Sequence, residues 1–262
     1  MRIIFTCTMV VALAVGANAQ SFEAGIAFAG GIYSGDLSPK VLPRYFNFIE
    51  PMGGLVMRYR NNGVLGVRAG LTYGSLSGDD AESAYPDRKL SFETTMLEGS
   101  VVGEWHVIPD NIVGEPVLNP YFFLGIAVFH FSPETRYNSG VIALHPVGTE
   151  GQGLNGYEKP YSLTQLAIPF GAGLRLKAGL RSYVSLEICA RKTFTDYLDD
   201  VTGEYLDYLR ILAEKGDLAA ELSRPTADPN NPTAQPNIYR RGGDRFDGYG
   251  TISLSYTYKL SR

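Results

Sequence analysis

Cysteines, long apolar runs and basic clusters are scarce in this chain of 262 residues. Its two cysteines are Cys7 and Cys189. The first falls in an expected leader, so one thiol remains and no internal disulfide is possible. Basic and acidic residues nearly balance, 23 against 27, with no dense basic run. That speaks against nucleic acid as a partner. After residue 19 no apolar run approaches the roughly 20 residues a membrane helix needs. No Pro/Ser-rich linker divides the strand pattern, so one domain is expected.

The first residues have the pattern of a secretory signal. Arg2 starts it, an apolar stretch covers Ile3 to Val15, and Ala17-Asn18-Ala19 supplies the small-residue cleavage site. The apolar stretch is too short for an anchor helix, which predicts cleavage near Gln20. With Gln20 rather than cysteine after the cut there is no lipoprotein attachment site. The expected division is a signal peptide over 1–19 and a barrel domain over 20–262.

What the chain does contain is period-two alternation. Strands are expected over 22–33, 52–60, 64–75, 90–107, 120–131, 163–176, 182–194 and 248–260. In the third, Val67, Ala69, Leu71 and Tyr73 share one face while Arg68, Gly70 and Thr72 share the other. In the fourth, Leu97, Val101 and Trp105 oppose Glu98, Ser100 and Glu104. The last sets Ile252, Leu254, Tyr256 and Tyr258 against Thr251, Ser253, Ser255 and Thr257. Connections alternate between short and long. Such a rhythm predicts an all-β fold: a single antiparallel transmembrane β-barrel of about eight strands in a bacterial outer membrane, with long extracellular loops and one short loop helix.

A soluble barrel of the lipocalin type also alternates, with its apolar face turned inward, and periodicity alone does not choose between the two. Three features favour the membrane version. Tyr59, Tyr73, Trp105, Tyr256 and Tyr258 sit at strand ends, where an interfacial girdle belongs. The opposite faces carry both charge signs, Arg68 with Glu98 and Glu104, Arg175 with Glu187 and Arg191, which can neutralise one another in a narrow lumen. Connector lengths are also strongly asymmetric. Eight strands leave room only for side chains or a small ligand, which argues against a general porin.

Asn61-Asn62-Gly63 is a hairpin signal, because Asn and Gly accept the positive φ of tight turns; 178–181 does the same. The longest loop, 195–247, holds an expected helix over 202–222, with Thr202 as its cap and Tyr205, Leu209, Leu212 and Leu222 on its apolar stripe. The stretch 225–237, rich in Pro and Asn, reads as irregular. A hidden strand pair in this loop stays open.

Chemistry is sparse. Asp196, Asp199, Asp200 and Glu204 collect carboxylates as a calcium site does, yet the spacing fits no EF-hand and suits a helix start equally well. His106, His130 and His145 lie on separate segments with no nucleophile motif around them. The glycines of Gly148-Thr149-Glu150-Gly151-Gln152-Gly153 lack the following lysine and helix of a phosphate loop. Cys189 reads as a packed, unreactive thiol. No catalytic residue, metal or cofactor is expected.

Several segments carry a family resemblance: FHFSPETRYNSGVIALHPVGTEGQG, YSLTQLAIPFGAGLRL, RKTFTDYLDDV and the closing YGTISLSYTYKL. They resemble the Bacteroidetes family of outer-membrane barrels that includes PorG, a component of the type IX secretion system. The likeness begins near Gly30 to Leu37 and is densest over 129–201. It implies a barrel associated with the periplasmic ring that helps export proteins and, in some relatives, supports gliding. The family offers no catalytic residue to carry over. The matched motif positions are Gly148, Thr149, Glu150, Gly151, Gln152, Arg191, Lys192, Thr193, Phe194, Asp196, Tyr197 and Asp199, expected to be structural and to pack the two segments together at the barrel mouth.

The leading expectation is a non-enzymatic attachment component of that apparatus, with outer-membrane lipid and periplasmic ring components as partners. The alternative is a surface barrel that binds an external ligand through its long outer loops.

Overall fold

The computed structural model describes residues 21–260 apart from 62–63, 110–115, 229, 232, 234 and 244. The expected leader, most of the Asn61-Asn62-Gly63 turn and half of the 107–119 link lie outside the described residues. Eight long strands build the wall: β1 (Ser21–Ser34), β2 (Glu50–Arg60), β3 (Leu65–Asp79), β4 (Ser91–His106), β5 (Leu118–Tyr137), β7 (Thr164–Lys177), β8 (Ser182–Thr193) and β11 (Gly248–Lys259). Three short strands, β6 (Gly140–Ala143), β9 (Tyr205–Asp207) and β10 (Ile238–Arg240), belong to the loops. Each long strand pairs antiparallel with the next, and β11 pairs with both β8 and β1. The wall of eight long strands therefore closes and none of the eight is left as an edge.

The direction of the side chains decides between the two barrels left open above. Phe28, Leu55, Leu124, Ile126 and Ile188 point outward, with Ile126 70% and Phe28 66% exposed. Glu23, Arg58, Glu98, Glu104, Arg175 and Glu187 point inward and are buried. An apolar outside around a charged inside suits hydrocarbon, and a lipocalin has the reverse arrangement. Trp105 and Phe122 stack at 5.9 Å on the outer surface near one rim, where Tyr256 and Tyr258 are also exposed. Tyr73 is exposed towards the other rim. The molecule is an outer-membrane β-barrel, and its short connections face the periplasm.

Strand ends depart from the sequence expectation chiefly in β5, expected to end at 131 and observed to run to Tyr137. Its last residues leave β7, whose pairing stops at His130, and pick up β6 from Glu134 onward. Pro133 falls in the gap between the two partners, a place where a strand tolerates a residue without an N–H. The strand pair left open in the longest loop exists as β9 with β10.

The helix expected over 202–222 is two helices, α2 (Tyr208–Lys215) and α3 (Asp217–Ser223), which follow the one-turn α1 (Leu144–Val147) of the earlier loop. Gly216 separates α2 from α3 with φ 91, a left-sided conformation that favours glycine. The cap is Asp207, whose carboxylate accepts from Arg210 N, and not Thr202. Residues 205–207 are held as a strand by the pairing with β10, so helix cannot start at 202.

The main apolar core sits at the long-loop end, inside the mouth. Tyr33, Leu37, Met52, Leu76, Phe92, Met96, Phe129, Phe131, Leu198 and Val201 are all at most 5% exposed there. A second cluster, Leu206, Tyr208, Ile211, Ala219 and Ala220, holds the helical loop together above it.

Candidate functional site

The lower lumen is filled by ion pairs. Arg58 lies at the centre, 2.9 Å from Glu104, 3.5 Å from Glu187 and 3.8 Å from Glu23. Arg68 reaches Glu104 at 2.6 Å and Glu187 at 3.0 Å, and Arg175 pairs with Glu23. Tyr121 donates to Glu187, and Thr257 donates to Glu23 at 2.8 Å. Six strands supply the ion pairs and the other two long strands supply Tyr121 and Thr257, because alternate residues at the same height of a narrow barrel all point at its axis. Burying so many charges is tolerable only since each faces an opposite one.

Higher up, Arg191 pairs with Glu98 at 2.6 Å and its guanidinium lies 5.1 Å from the centre of the Tyr249 ring. The cavity between these layers is small, about 60 Å³. Cys189 lines it and is buried. Above come the apolar plug and then the loops.

The two motif segments meet at this mouth. Glu150 accepts hydrogen bonds from Thr202 N at 2.9 Å and Thr202 Oγ1 at 2.6 Å. Thr149 donates to Asp200, as does Tyr161 at 2.7 Å. Arg241 clamps both segments, its Nη1 lying 2.7 Å from Thr149 Oγ1, 3.4 Å from Glu150 and 2.9 Å from the Asp200 carbonyl. Tyr197 stacks on Tyr161 at 4.2 Å. Deeper in, Tyr33 donates to Asp199 at 2.6 Å and to Asp247 at 2.7 Å, tying β1 to both ends of the longest loop. Asp247 also accepts from Leu198 N at 2.9 Å.

Burial dominates the electrostatics of this cap. It pushes the Glu150 carboxyl up to about 7, even though Arg241 and the Thr202 hydrogen bonds pull it down. Burial raises Asp200 too, against the opposing pull of Arg241. Asp199 and Asp247 are raised well above the carboxylate range, first by burial, and Asp247 next by the charge of Asp199.

Other motif positions go elsewhere. Lys192 and Phe194 face outward from β8, while Arg191 and Thr193 face the lumen. Gly148 closes α1 in a left-handed conformation, and Gln152 is buried beside Glu150, whose N–H it accepts at 3.0 Å. The calcium reading of Asp196, Asp199, Asp200 and Glu204 is not supported. Among the described residues no three His, Cys, Asp or Glu side chains converge as metal ligands. Instead Asp199 serves Tyr33 and Asp200 serves Thr149 and Tyr161.

The three histidines are far apart in role. His106 stacks on Tyr121 in the lower lumen, His130 meets Thr164 on the outer face, and His145 contacts the Tyr161 carbonyl. Arg241 is the cap residue that reading by sequence missed. Its only local signal is Arg240-Arg241-Gly242-Gly243, a charged step with small residues just ahead of the last strand.

Residues 2–212 match the family described as a domain of unknown function, DUF6089. The chain belongs to this family. No curated protein matches it in sequence. Among solved structures, this DUF6089 chain is similar to Ail, the attachment invasion locus protein of Yersinia pestis, solved in complex with the heparin analogue sucrose octasulfate, at 11% identity and TM-score 0.43, over 93% of this chain and 100% of that one. The outer membrane protein OprG of Pseudomonas aeruginosa gives 12%, 0.45, 93% and 98%. Neisserial surface protein A gives 9%, 0.45, 93% and 100%.

Proposed function

We propose that this barrel is a non-enzymatic attachment component of the type IX secretion and gliding apparatus, fixed in the outer membrane and engaging periplasmic ring components through its short-turn rim. The observation that carries this reading is the closed interior. Ion pairs from six strands fill the lower lumen, and an apolar plug and a clamped cap fill the mouth. A barrel that offers no path can still offer a firmly held surface. The resemblance of 129–201 to the PorG-containing family supplies the partner class.

The periplasmic rim has material for such a contact. Leu180, in the β7–β8 turn, is 92% exposed, and Val117 and Leu118, where β5 begins, are exposed as well. Apolar side chains at a rim that faces water mark interaction sites when they cluster. Replacing 107–119 by a minimal turn should leave a folded, heat-modifiable barrel in the outer membrane but strip ring components from its affinity-purified complex. Undiminished recovery of those components would count against this rim as the docking surface.

A further inference from the structure

Beside the Glu150 loop the cap holds a cleft of about 380 Å³ that the attachment role does not use. Such a volume is that of a small-molecule site. Three tyrosines line it, Tyr157, Tyr197 and Tyr205, together with Glu158, Glu204 and Asp207. Among the described residues no salt bridge neutralises those three carboxylates. Two arginines flank the cleft and both are engaged: Arg240 lies 5.1 Å from the centre of the Tyr205 ring and covers one of its faces, and Arg210 stands in the lining itself. Arg210 pairs with Glu214 at 2.7 Å and lies 5.3 Å from the centre of the Tyr157 ring. So the cleft is aromatic and negative.

A second observation concerns Gln152, which lines the same cleft and is 3% exposed. Its Oε1 is fixed by Glu150 N, which sets the amide orientation, and its Nε2 has no hydrogen-bond partner. A buried donor left unpaired is destabilising, and a ligand acceptor removes that cost. The motif glycine between them shapes the wall. Gly151 has φ +74, and a Cβ there would lie 2.8 Å from the Tyr157 ring. Glycine thus lets the Glu150–Gln152 turn press against this tyrosine.

We propose that this cleft is a binding site for an organic cation, an ammonium or guanidinium group carried beside a carbonyl, as in the lysine or arginine residue of a peptide. The cation would lie between the Glu158 and Glu204 carboxylates, Asp207 being taken up as the α2 cap, and against the ring faces that Arg210 and Arg240 leave uncovered, where attraction to the ring quadrupole adds to charge. The carbonyl would take the free Gln152 hydrogen. This site goes beyond the attachment role and does not depend on it.

The test is calorimetry on the full barrel in detergent micelles, with Nα-acetyl-lysine methylamide, Nα-acetyl-arginine methylamide and the neutral Nα-acetyl-norleucine methylamide as probes. Saturable one-to-one binding of the two charged probes is expected, with none of the neutral one. Glu158→Gln combined with Glu204→Gln, and separately Tyr205→Ala, should each weaken binding about tenfold, equivalent to about 1.4 kcal/mol. Both changes are at the cap surface, and an unchanged unfolding midpoint will show that the barrel is intact. Equal binding of the neutral probe, no saturable binding to the folded barrel, or charged-probe binding unmoved by the variants would each overturn the assignment.

Discussion

Arg58 illustrates how much one side chain carries in this barrel. It is wholly buried and faces three carboxylates from three other strands. Arg58→Met should destabilise the barrel by about 3–5 kcal/mol, because Glu23, Glu104 and Glu187 would then share too little positive charge in a dry lumen. The urea unfolding midpoint in micelles checks this, and a change under 1 kcal/mol would mean that water reaches the lumen freely.

Glu150 gives a pH prediction. Its carboxyl titrates near 7 in the folded cap, above the ordinary carboxylate value, so the folded state holds a proton that the unfolded loop would release. Its contribution to stability is therefore full below the ordinary carboxylate range and lost as pH rises through about 7. The upward shifts of Asp199, Asp200 and Asp247 act in the same direction. Amide exchange in residues 144–153 should slow as pH falls from about 8 to about 5, after correction for intrinsic rates, and Glu150→Gln should flatten that dependence. Arg191 and Glu98 were both placed on lumen faces from alternation alone. Arg241 was not foreseen, since a single arginine in a loop has no periodicity to give its direction.

At the scale of the element, the wall was readable because lipid and lumen impose opposite demands on alternate residues. Seven of the eight long strands end within about four residues of where alternation placed them, and β5 is the exception. The cap was less readable. β9 and β10 have three residues each and α2 has eight, too short for periodicity to separate strand from helix, and the pairing of Leu206 with Tyr239 is a contact across 33 positions. Asp207 and Gly216 bound α2, by capping and by positive φ, inside the single helix that the sequence reading capped at Thr202. The lipid face makes its own prediction. Ile126, in the middle of β5 and opposite Val101, is 70% exposed. Ile126→Arg should cost about 2–4 kcal/mol in a bilayer, whereas Leu180→Arg in the turn should cost near zero. Equal costs would displace the membrane from the girdle-bounded belt.

At the scale of the whole molecule the described residues form a closed wall with a filled lumen and a structured outer cap. Reconstituted in planar bilayers it should show no steady ion conductance at neutral pH, and Arg58 variants should be the first to leak. The sequence resemblance offers the partner class that the attachment proposal takes up, while the organisation of the cap came only from the fold, since its clamp joins residues 149, 200 and 241, which no local pattern connects.

The decisive measurement is photo-cross-linking in native cells from a probe amino acid at position 180, followed by affinity purification under denaturing conditions and identification of the attached proteins. Reproducible recovery of periplasmic ring components of the secretion apparatus is the predicted result. Their absence, with the barrel inserted and the probe active, would contradict the attachment role and leave a stand-alone surface barrel that works through its outer loops.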